Sequence, residues 1–400
     1  MITLTDEQKS AVQMATENPI SILVGGPGVG KTTVTKQIVQ AALDRRESIS
    51  LCAPSGKAAR RASEATNYPA STIHRLLEAK MEGGEFAFTR GEVTPLDCDL
   101  LICDETSMVS NDLMASLLRA VDADKTRVLF IGDQDQLPSI SAGSVLRDFL
   151  NSKIIPTTEL QKVFRNSGDI VKSCHKIKDG LKYAPSASLD PENGLNIRHI
   201  EEPNPKRIVQ IIKKLVVDRM PARGFNPIWN VQVLSPTNTR TAMSCDGINK
   251  VLQDALNSSP AIKGTKFRPG DKAIQTKNEE IDGEYVVNGD LCEIASVTEK
   301  QITAKFFDPE RIVTFPKSFN HLLLAYSITC HRFQGSEAPV IIIPIHKSFS
   351  FIVNRPWIYT AISRAREICI TVGQFRAVEM AIKKEVSGIR KTMLRKKICA

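Results

Sequence analysis

The 400-residue sequence has no apolar run approaching the length that crosses a bilayer, which sets aside a helical membrane protein. Its start, Met1–Ser10, is polar and acidic and does not read as a secretory signal. The expectation is a protein of the cytoplasm. The nine cysteines form no CxxC. Cys98 and Cys103 are the one close pair, and no second pair completes a zinc site. Cys52, Cys103 and Cys369 stand in apolar, strand-like stretches, so reduced and mostly buried thiols are expected. Internal repeats and long low-complexity segments are also missing from the sequence.

Hydrophobic residues make up 42% and charged residues 24%, the balance of an ordinary globular protein with enough chain for two or three cores. The net charge of +9 favours a polyanionic partner, without naming one. The stretch Lys383–Lys397 concentrates Lys and Arg, as a phosphate-contacting segment or a solvated amphipathic helix would.

The first 150 residues alternate strand-like and helix-like stretches. Ile20–Val24 precedes helical Thr32–Leu43, and Ser48–Ala53 precedes helical Lys57–Ala65. Asp99–Cys103 and Arg127–Ile131 are further apolar runs. Such alternation predicts an α/β fold with a mostly parallel sheet covered on both faces. Two segments interrupt the pattern. Lys80–Leu96 reads as a small inserted hairpin with Phe86 and Phe88 on it, and Lys266–Phe319 as a small all-β module rich in turn dipeptides. A second α/β region resumes with Leu322–Ser327, Val340–Pro344 and Ile368–Val372.

Gly25-Gly26-Pro27-Gly28-Val29-Gly30-Lys31-Thr32 fits G-x-x-x-x-G-K-[ST] in full, after a predicted strand and opening a predicted helix, with Thr33 next. Glycines let backbone N–H groups surround phosphates, and the helix N-terminus adds partial positive charge. Lys31 is placed to reach the β- and γ-phosphates of ATP, and Thr32 to offer its hydroxyl to Mg²⁺. Asp104-Glu105 ends the strand Asp99–Cys103. There Asp104 can hold the Mg²⁺ shell and Glu105 can polarise an attacking water. Ile131–Pro138, containing Gln134, is a polar cluster at another strand end that could sense the γ-phosphate.

With these motifs in place the chain resembles a superfamily 1 helicase of the RecD-like and Dda-like branch. Leu4–Gln8 resembles the glutamine motif, with Gln8 reading adenine, and Gly25–Thr32 is motif I. Ala53–Ala59 and Ser71–Leu77 resemble motifs Ia and Ib, Asp104–Met108 motif II and Gly132–Pro138 motif III. Leu160–Arg165, Ser327–Glu337 and Tyr359–Ala365 resemble motifs IV, V and VI. Phe333, Arg332 and Ser363 depart from the usual small polar residue, Lys and Thr. For Phe333, stacking on a base and packing in the core both stay open.

The resemblance implies two RecA-like P-loop domains. Motor domain 1A covers 1–150, with a pin over 80–96. Motor domain 2A covers 151–265 and 320–400, and an SH3-like module, 2B, covers 266–319. ATP would lie between 1A and 2A, with Arg165, Arg364, Gly335 and Glu337 from the second. An arginine arriving at the γ-phosphate is worth ~10³–10⁵-fold in rate. Pro54, Ser55, Thr72, His74, Ser235, Pro236, Thr237, Thr329 and His331 would lie along single-stranded DNA. Phe86 or Phe88 would stack at the fork, for ~1–3 kcal/mol per base. The implied activity is an ATP-dependent helicase moving 5′→3′ on single-stranded DNA and opening junctions in replication, recombination or repair. Single-strand-binding or replication proteins are its implied partners, and the motor core is expected to be a monomer. The alternatives are an ATP-driven translocase that unwinds poorly and an ATP-gated DNA-binding subunit. No nuclease, relaxase or primase segment is read, and the compact layout resembles phage-type helicases.

Overall fold

Thr5 opens the first helix, α1 (Asp6–Glu17), through a capping box: its Oγ1 accepts the Gln8 N–H, while Gln8 Oε1 accepts the Thr5 N–H at 3.1 Å. The computed structural model describes residues 4–82, 85–162, 168–281, 283–307, 310–384 and 394–399. After α1 come β1 (Ile20–Gly25), α2 (Lys31–Asp44), β2 (Ile49–Ala53), α3 (Gly56–Thr66), β3 (Ala70–Thr72) and α4 (Ile73–Leu76). An antiparallel hairpin of β4 (Ala79–Glu82) and β5 (Glu85–Phe88) follows. Then come β6 (Leu100–Cys103), α5 (Asn111–Arg119), β7 (Arg127–Gly132), α6 (Val145–Ser152) and β8 (Thr157–Leu160).

Six of these strands form one parallel sheet in the order β3-β2-β6-β7-β1-β8. Successive residues face opposite sides of a strand, and here both sides are apolar. Ile22, Val24, Leu101, Cys103, Val128 and Phe130 fill a core on one face. Leu23, Leu100, Ile102, Leu129 and Ile131 fill a second core on the other. Burial of each such side chain stabilises by roughly 1.5–3 kcal/mol, which explains the unbroken apolar runs in sequence.

The chain divides into two compact units, Met1–Ser167 with Ser387–Ala400, and Gly168–Val386. This boundary falls later than a division at 150, because β8 pairs with β1 and extends the first sheet. The terminal helix α12 also packs on α6, with Leu394 and Ile398 against the first core.

The second unit contains α7 (Asp169–Lys178), β9 (Ile197–Glu201), α8 (Pro205–Lys214), β10 (Val231–Ser235) and α9 (Cys245–Leu256). It continues through β11 (Lys272–Gln275), β12 (Glu279–Ile281), β13 (Glu284–Val286), β14 (Leu291–Val297), β15 (Gln301–Phe307), β16 (Glu310–Pro316) and β17 (Leu322–Leu324). It closes with β18 (Ser327–Thr329), β19 (Ala338–Ile345), α10 (Arg355–Ser363), β20 (Ala365–Gly373) and α11 (Phe375–Lys383), before α12 (Leu394–Ile398) returns to the first unit. A parallel sheet, β18-β10-β19-β20-β9, is the frame of this unit. An antiparallel sheet, β16-β15-β14-β11-β17, is inserted into it with its own core of Ile294, Phe306, Phe315 and Leu322. All cysteines but Cys399 are buried and none is bridged. Among the described residues no helix is long and apolar enough to cross a membrane.

Candidate functional site

Parallel strands β1, β6 and β7 end at the same edge of the first sheet, and the loops beyond them carry the candidate nucleotide site. The 25–30 loop folds back on its own strand. A Cβ at Gly25 would lie 2.6 Å from Val29 Cγ2 and 3.0 Å from the Leu160 carbonyl. Gly28 and Gly30 hold φ of +76° and +87°, the left-handed region that suits glycine. Gly30 caps α2 without a side-chain bond, so the first N–H groups of that helix face the loop mouth. Lys31 Nζ donates to the carbonyls of Gly25 at 2.5 Å and Gly26 at 2.8 Å, which stations the ammonium over the loop. Thr32 is exposed beside it and Thr33 half-buried, while Gly26 and Pro27 line the partly open mouth.

Asp104 leaves β6 with its N–H donating to the Cys52 carbonyl at 2.9 Å. Its Oδ1 accepts the Glu105 N–H at 2.8 Å. Burial pushes the Asp104 carboxyl up to about 6, the Glu105 carboxylate adds to the rise, and Lys31 and Arg61 oppose it. Glu105 has φ +50°, a left-handed conformation uncommon for a non-glycine residue. Gly132 lets this turn come close. A Cβ there would lie 2.8 Å from Leu146 Cδ2 and 3.4 Å from the Ser107 N. Buried Asp133 then organises the next loop, its Oδ1 accepting the Asp135 N–H at 3.0 Å and its Oδ2 the Gln136 amide at 3.4 Å. Gln134 is half-buried on that loop.

This donor set suits a nucleoside triphosphate with a divalent cation: a loop of inward N–H groups, a cation above it and a buried carboxylate beside it. Thr32 and Asp104 would hold Mg²⁺, whose remaining shell is commonly water and phosphate oxygen. Below about pH 6 Asp104 is protonated and must release that proton to accept a cation. Apparent Mg²⁺ affinity should therefore fall by about tenfold per pH unit on going lower. Titrating Mg²⁺-dependent nucleotide turnover at pH 5 and pH 7 checks this, and an unchanged Mg²⁺ requirement would contradict it.

The candidate DNA residues of the first unit share the same sheet edge. Ala53 pairs with Thr72, so the turn holding Pro54 and Ser55 adjoins the turn holding Thr72. Both hydroxyls also cap helices: Ser55 Oγ accepts the Ala58 N–H and Thr72 Oγ1 the Arg75 N–H. Burial lowers the His74 pKa, which disfavours the charged ring. Its ring lies 5.9 Å from that of Phe88, which packs half-buried against the first core. Phe88 thus anchors the β4–β5 hairpin instead of standing exposed. Phe88→Ala should cost about 1–3 kcal/mol of stability, read as a lowered thermal midpoint. The Phe86 side chain lies outside the described residues.

In the second unit Ser235 and Thr329 are paired neighbours on β10 and β18. Ser235 is fully buried and its hydroxyl donates to the Met243 carbonyl at 2.7 Å, and Pro236 and Thr237 follow the end of β10. His331 is half-buried in the following turn, and Phe333 is a core residue at 3% exposure, which resolves it against base stacking. Arg364 ends α10 almost wholly buried. Its guanidinium lies 3.5 Å from the Ser336 carbonyl, within the turn that holds Gly335 and Glu337. Arg165 lies outside the described residues. Gln8 is buried, with its Oε1 in the α1 capping box.

Two residues escaped the sequence reading. Arg61, on α3, acts electrostatically on Asp104. It lies one helical turn beyond Lys57 of motif Ia, a spacing that marks a shared face. Glu7 Oε2 accepts the Gln161 and Lys162 N–H groups at 3.1 and 3.3 Å, tying α1 to the segment after β8. Nothing in local sequence signals that contact.

The comparisons agree with this geometry. A family model described as an AAA domain matches residues 3–190, and one described as a UvrD-like helicase C-terminal domain matches 324–372. The chain is 34% identical over 402 residues to the ATP-dependent RecD2 DNA helicase of Deinococcus radiodurans, covering 99% of this chain and 53% of that protein. It therefore spans about half the length of that relative. It is 28% identical to the RecBCD enzyme subunit RecD of Mycolicibacterium smegmatis, covering 98% of this chain and 75% of the relative. Among solved structures, the Pif1 helicase from Bacteroides in complex with ADP-AlF3 and ssDNA aligns with TM-score 0.60 at 19% identity, covering 96% and 95% of the two chains. The Pif1 helicase from Candida albicans aligns with TM-score 0.53 at 18% identity, covering 96% and 97%. The fold is thus α/β with two RecA-like domains. By its ordered motifs and these likenesses, the chain belongs to the RecD-like family of superfamily 1 helicases.

Proposed function

We propose that the chain is an ATP-dependent, Mg²⁺-requiring DNA helicase that moves 5′→3′ on single-stranded DNA and opens duplex at junctions. One observation carries the reading. The Gly25–Thr32 loop, Asp104-Glu105, the Gly132–Gln136 loop and the Ala53–Thr72 pair all stand at the same edge of one parallel sheet. Nucleotide chemistry and a strand contact are thereby built on one rigid frame. In this reading Lys31 binds the terminal phosphates, Glu105 orients the attacking water and Gln134 senses the γ-phosphate. Arg165 and Arg364 supply positive charge at the transition state, Gly335 and Glu337 line the nucleotide, and Gln8 reads the adenine.

In this reading the first unit, Met1–Ser167 with Ser387–Ala400, is one motor and the second unit the other, with 266–319 inserted into it as an SH3-like module. The protein would work in the cytoplasm as a monomer, in replication, recombination or repair, beside single-strand-binding proteins. A second reading, an ATP-driven translocase with little strand separation, is favoured by the anchored position of Phe88. Comparing DNA-stimulated ATP turnover with strand opening separates the two. Strong stimulation with opening supports the helicase, and stimulation without opening supports the translocase. No stimulation in pure protein would leave an ATP-gated binding subunit. In the helicase reading Phe86→Ala lowers strand opening several-fold more than it lowers stimulated turnover. Equal loss of both would remove Phe86 from the fork.

A further inference from the structure

Trp229, just before β10, packs edge-on against Phe307 of the antiparallel sheet, with ring centroids 4.8 Å apart. The antiparallel sheet is filled by its own side chains, from Phe267 to Leu322. Beside the Trp229 contact, a buried polar network at Asp271 and Lys272, where β11 begins, joins it to the parallel sheet.

Asp271 is fully buried and accepts four hydrogen bonds. Gln253 Nε2 donates at 2.6 Å and the Arg268 N–H at 2.7 Å to Oδ2, while Asn257 Nδ2 at 2.8 Å and the Tyr326 hydroxyl at 3.0 Å donate to Oδ1. Lys272, 2% exposed, points elsewhere. Its Nζ donates to the Ile228 carbonyl at 2.8 Å and to Gln232 Oε1 at 3.0 Å, and sits 5.7 Å from the Trp229 ring. The Gln232 amide in turn donates to the Ala325 and Tyr326 carbonyls at 3.1 and 3.2 Å. Asn249 completes the network, its Nδ2 donating to the Leu324 and Ser327 carbonyls and its Oδ1 accepting the Ser327 N–H at 2.7 Å.

The network therefore bonds β11 to β10 through Lys272 and Gln232 and to α9 through Asp271, while Asn249 of α9 holds the start of β18. β10 ends at Ser235, just before Pro236 and Thr237, and β18 ends at Thr329. An apolar joint is non-directional and allows sliding. Buried hydrogen bonds hold one orientation, because every misaligned donor or acceptor costs its desolvation.

We propose that Asp271 and Lys272 are positioning residues that lock the antiparallel module to α9 and β10, and through Asn249 of α9 to β18, so that module and strand ends move as one body. Load on the module then reaches the Ser235–Thr237 and Thr329 ends without a flexible joint between them. This rests on the motor reading for its functional consequence, but the rigid joint itself does not.

The test uses the full chain with Tyr326→Phe, which removes one donor to Asp271, and Lys272→Met, which keeps the side-chain length without the charge. Asp271→Asn, which sets an amide N–H₂ among four donors, is the severe variant. In the mild variants, single-stranded-DNA-stimulated ATP turnover and its KM for DNA should stay within about twofold of the parent. Base pairs opened per ATP should fall by about fivefold or more, the scale of a lost coupling. Parallel loss of turnover and opening, or retained opening per ATP, would overturn the proposal. Hydrogen exchange gives the second readout. Amides of 272–275 and 322–329 should lose protection while those of β14–β16 keep it. Unchanged protection, or loss throughout the module, would equally overturn it. If the parent chain shows no DNA-stimulated turnover, the motor reading fails, and the exchange result alone decides the joint.

Discussion

Lys31→Ala should lower ATP turnover by about 10³-fold or more while leaving the fold intact, because it removes a full positive charge held over the phosphate loop. In the structure that charge is held by the Gly25 and Gly26 carbonyls, at 2.5 and 2.8 Å. Backbone N–H groups alone remain in the variant. They still favour an anion, so nucleotide binding weakens less than hydrolysis. Alanine is a good first-turn helix residue, and α2 begins at this position, so the thermal midpoint should change little. Turnover within tenfold of the parent, in a folded variant, would take Lys31 out of the chemistry.

Glu105→Gln should retain ATP binding and lose about 10²–10⁴-fold in hydrolysis, the usual worth of a positioned general base. The substitution keeps shape and polarity, so it isolates the carboxylate. It has a second consequence. The Glu105 charge is among the causes that raise the Asp104 carboxyl, after burial itself. Neutralising it should lower the Asp104 pKa and carry the acid limit of Mg²⁺ binding to lower pH. A variant with normal turnover, or with lost turnover and an unmoved acid limit, would contradict the pairing of these two carboxylates. The positive φ of Glu105 is also informative. Strain of this kind costs ~1–3 kcal/mol and persists where the surrounding fold enforces it. Here the Asp104 Oδ1 bond and the close approach allowed by Gly132 enforce it.

Much of this site was legible in the sequence because its signals are local. Gly25–Thr32 needs glycines at left-handed positions, and Gly28 and Gly30 take them. Apolar runs such as Leu100–Cys103 alternate their side chains between two apolar cores, so a continuous run meant a doubly covered strand. The long-range features were not legible. β8 joins the first sheet through pairing with β1, far away in sequence, so a boundary placed at 150 came too early. Phe88 and Phe333 are apolar in either role, and only tertiary packing shows both turned inward. Ser235 looks like a strand-end contact in sequence, yet its hydroxyl is used internally by Met243. The Asp271 network escaped notice because Gln232, Asn249, Gln253 and Tyr326 are scattered across the second unit and converge only when it folds.

The central claim is that nucleotide hydrolysis at the Gly25–Thr32 loop drives directional movement on single-stranded DNA. The most direct measurement is opening of a fluorescent duplex carrying either a 5′ or a 3′ single-stranded tail, with ATP and Mg²⁺ and with Lys31→Ala as control. The expected result is opening from the 5′ tail alone, abolished in the control. Opening from the 3′ tail alone, or opening that survives Lys31→Ala, would contradict the account.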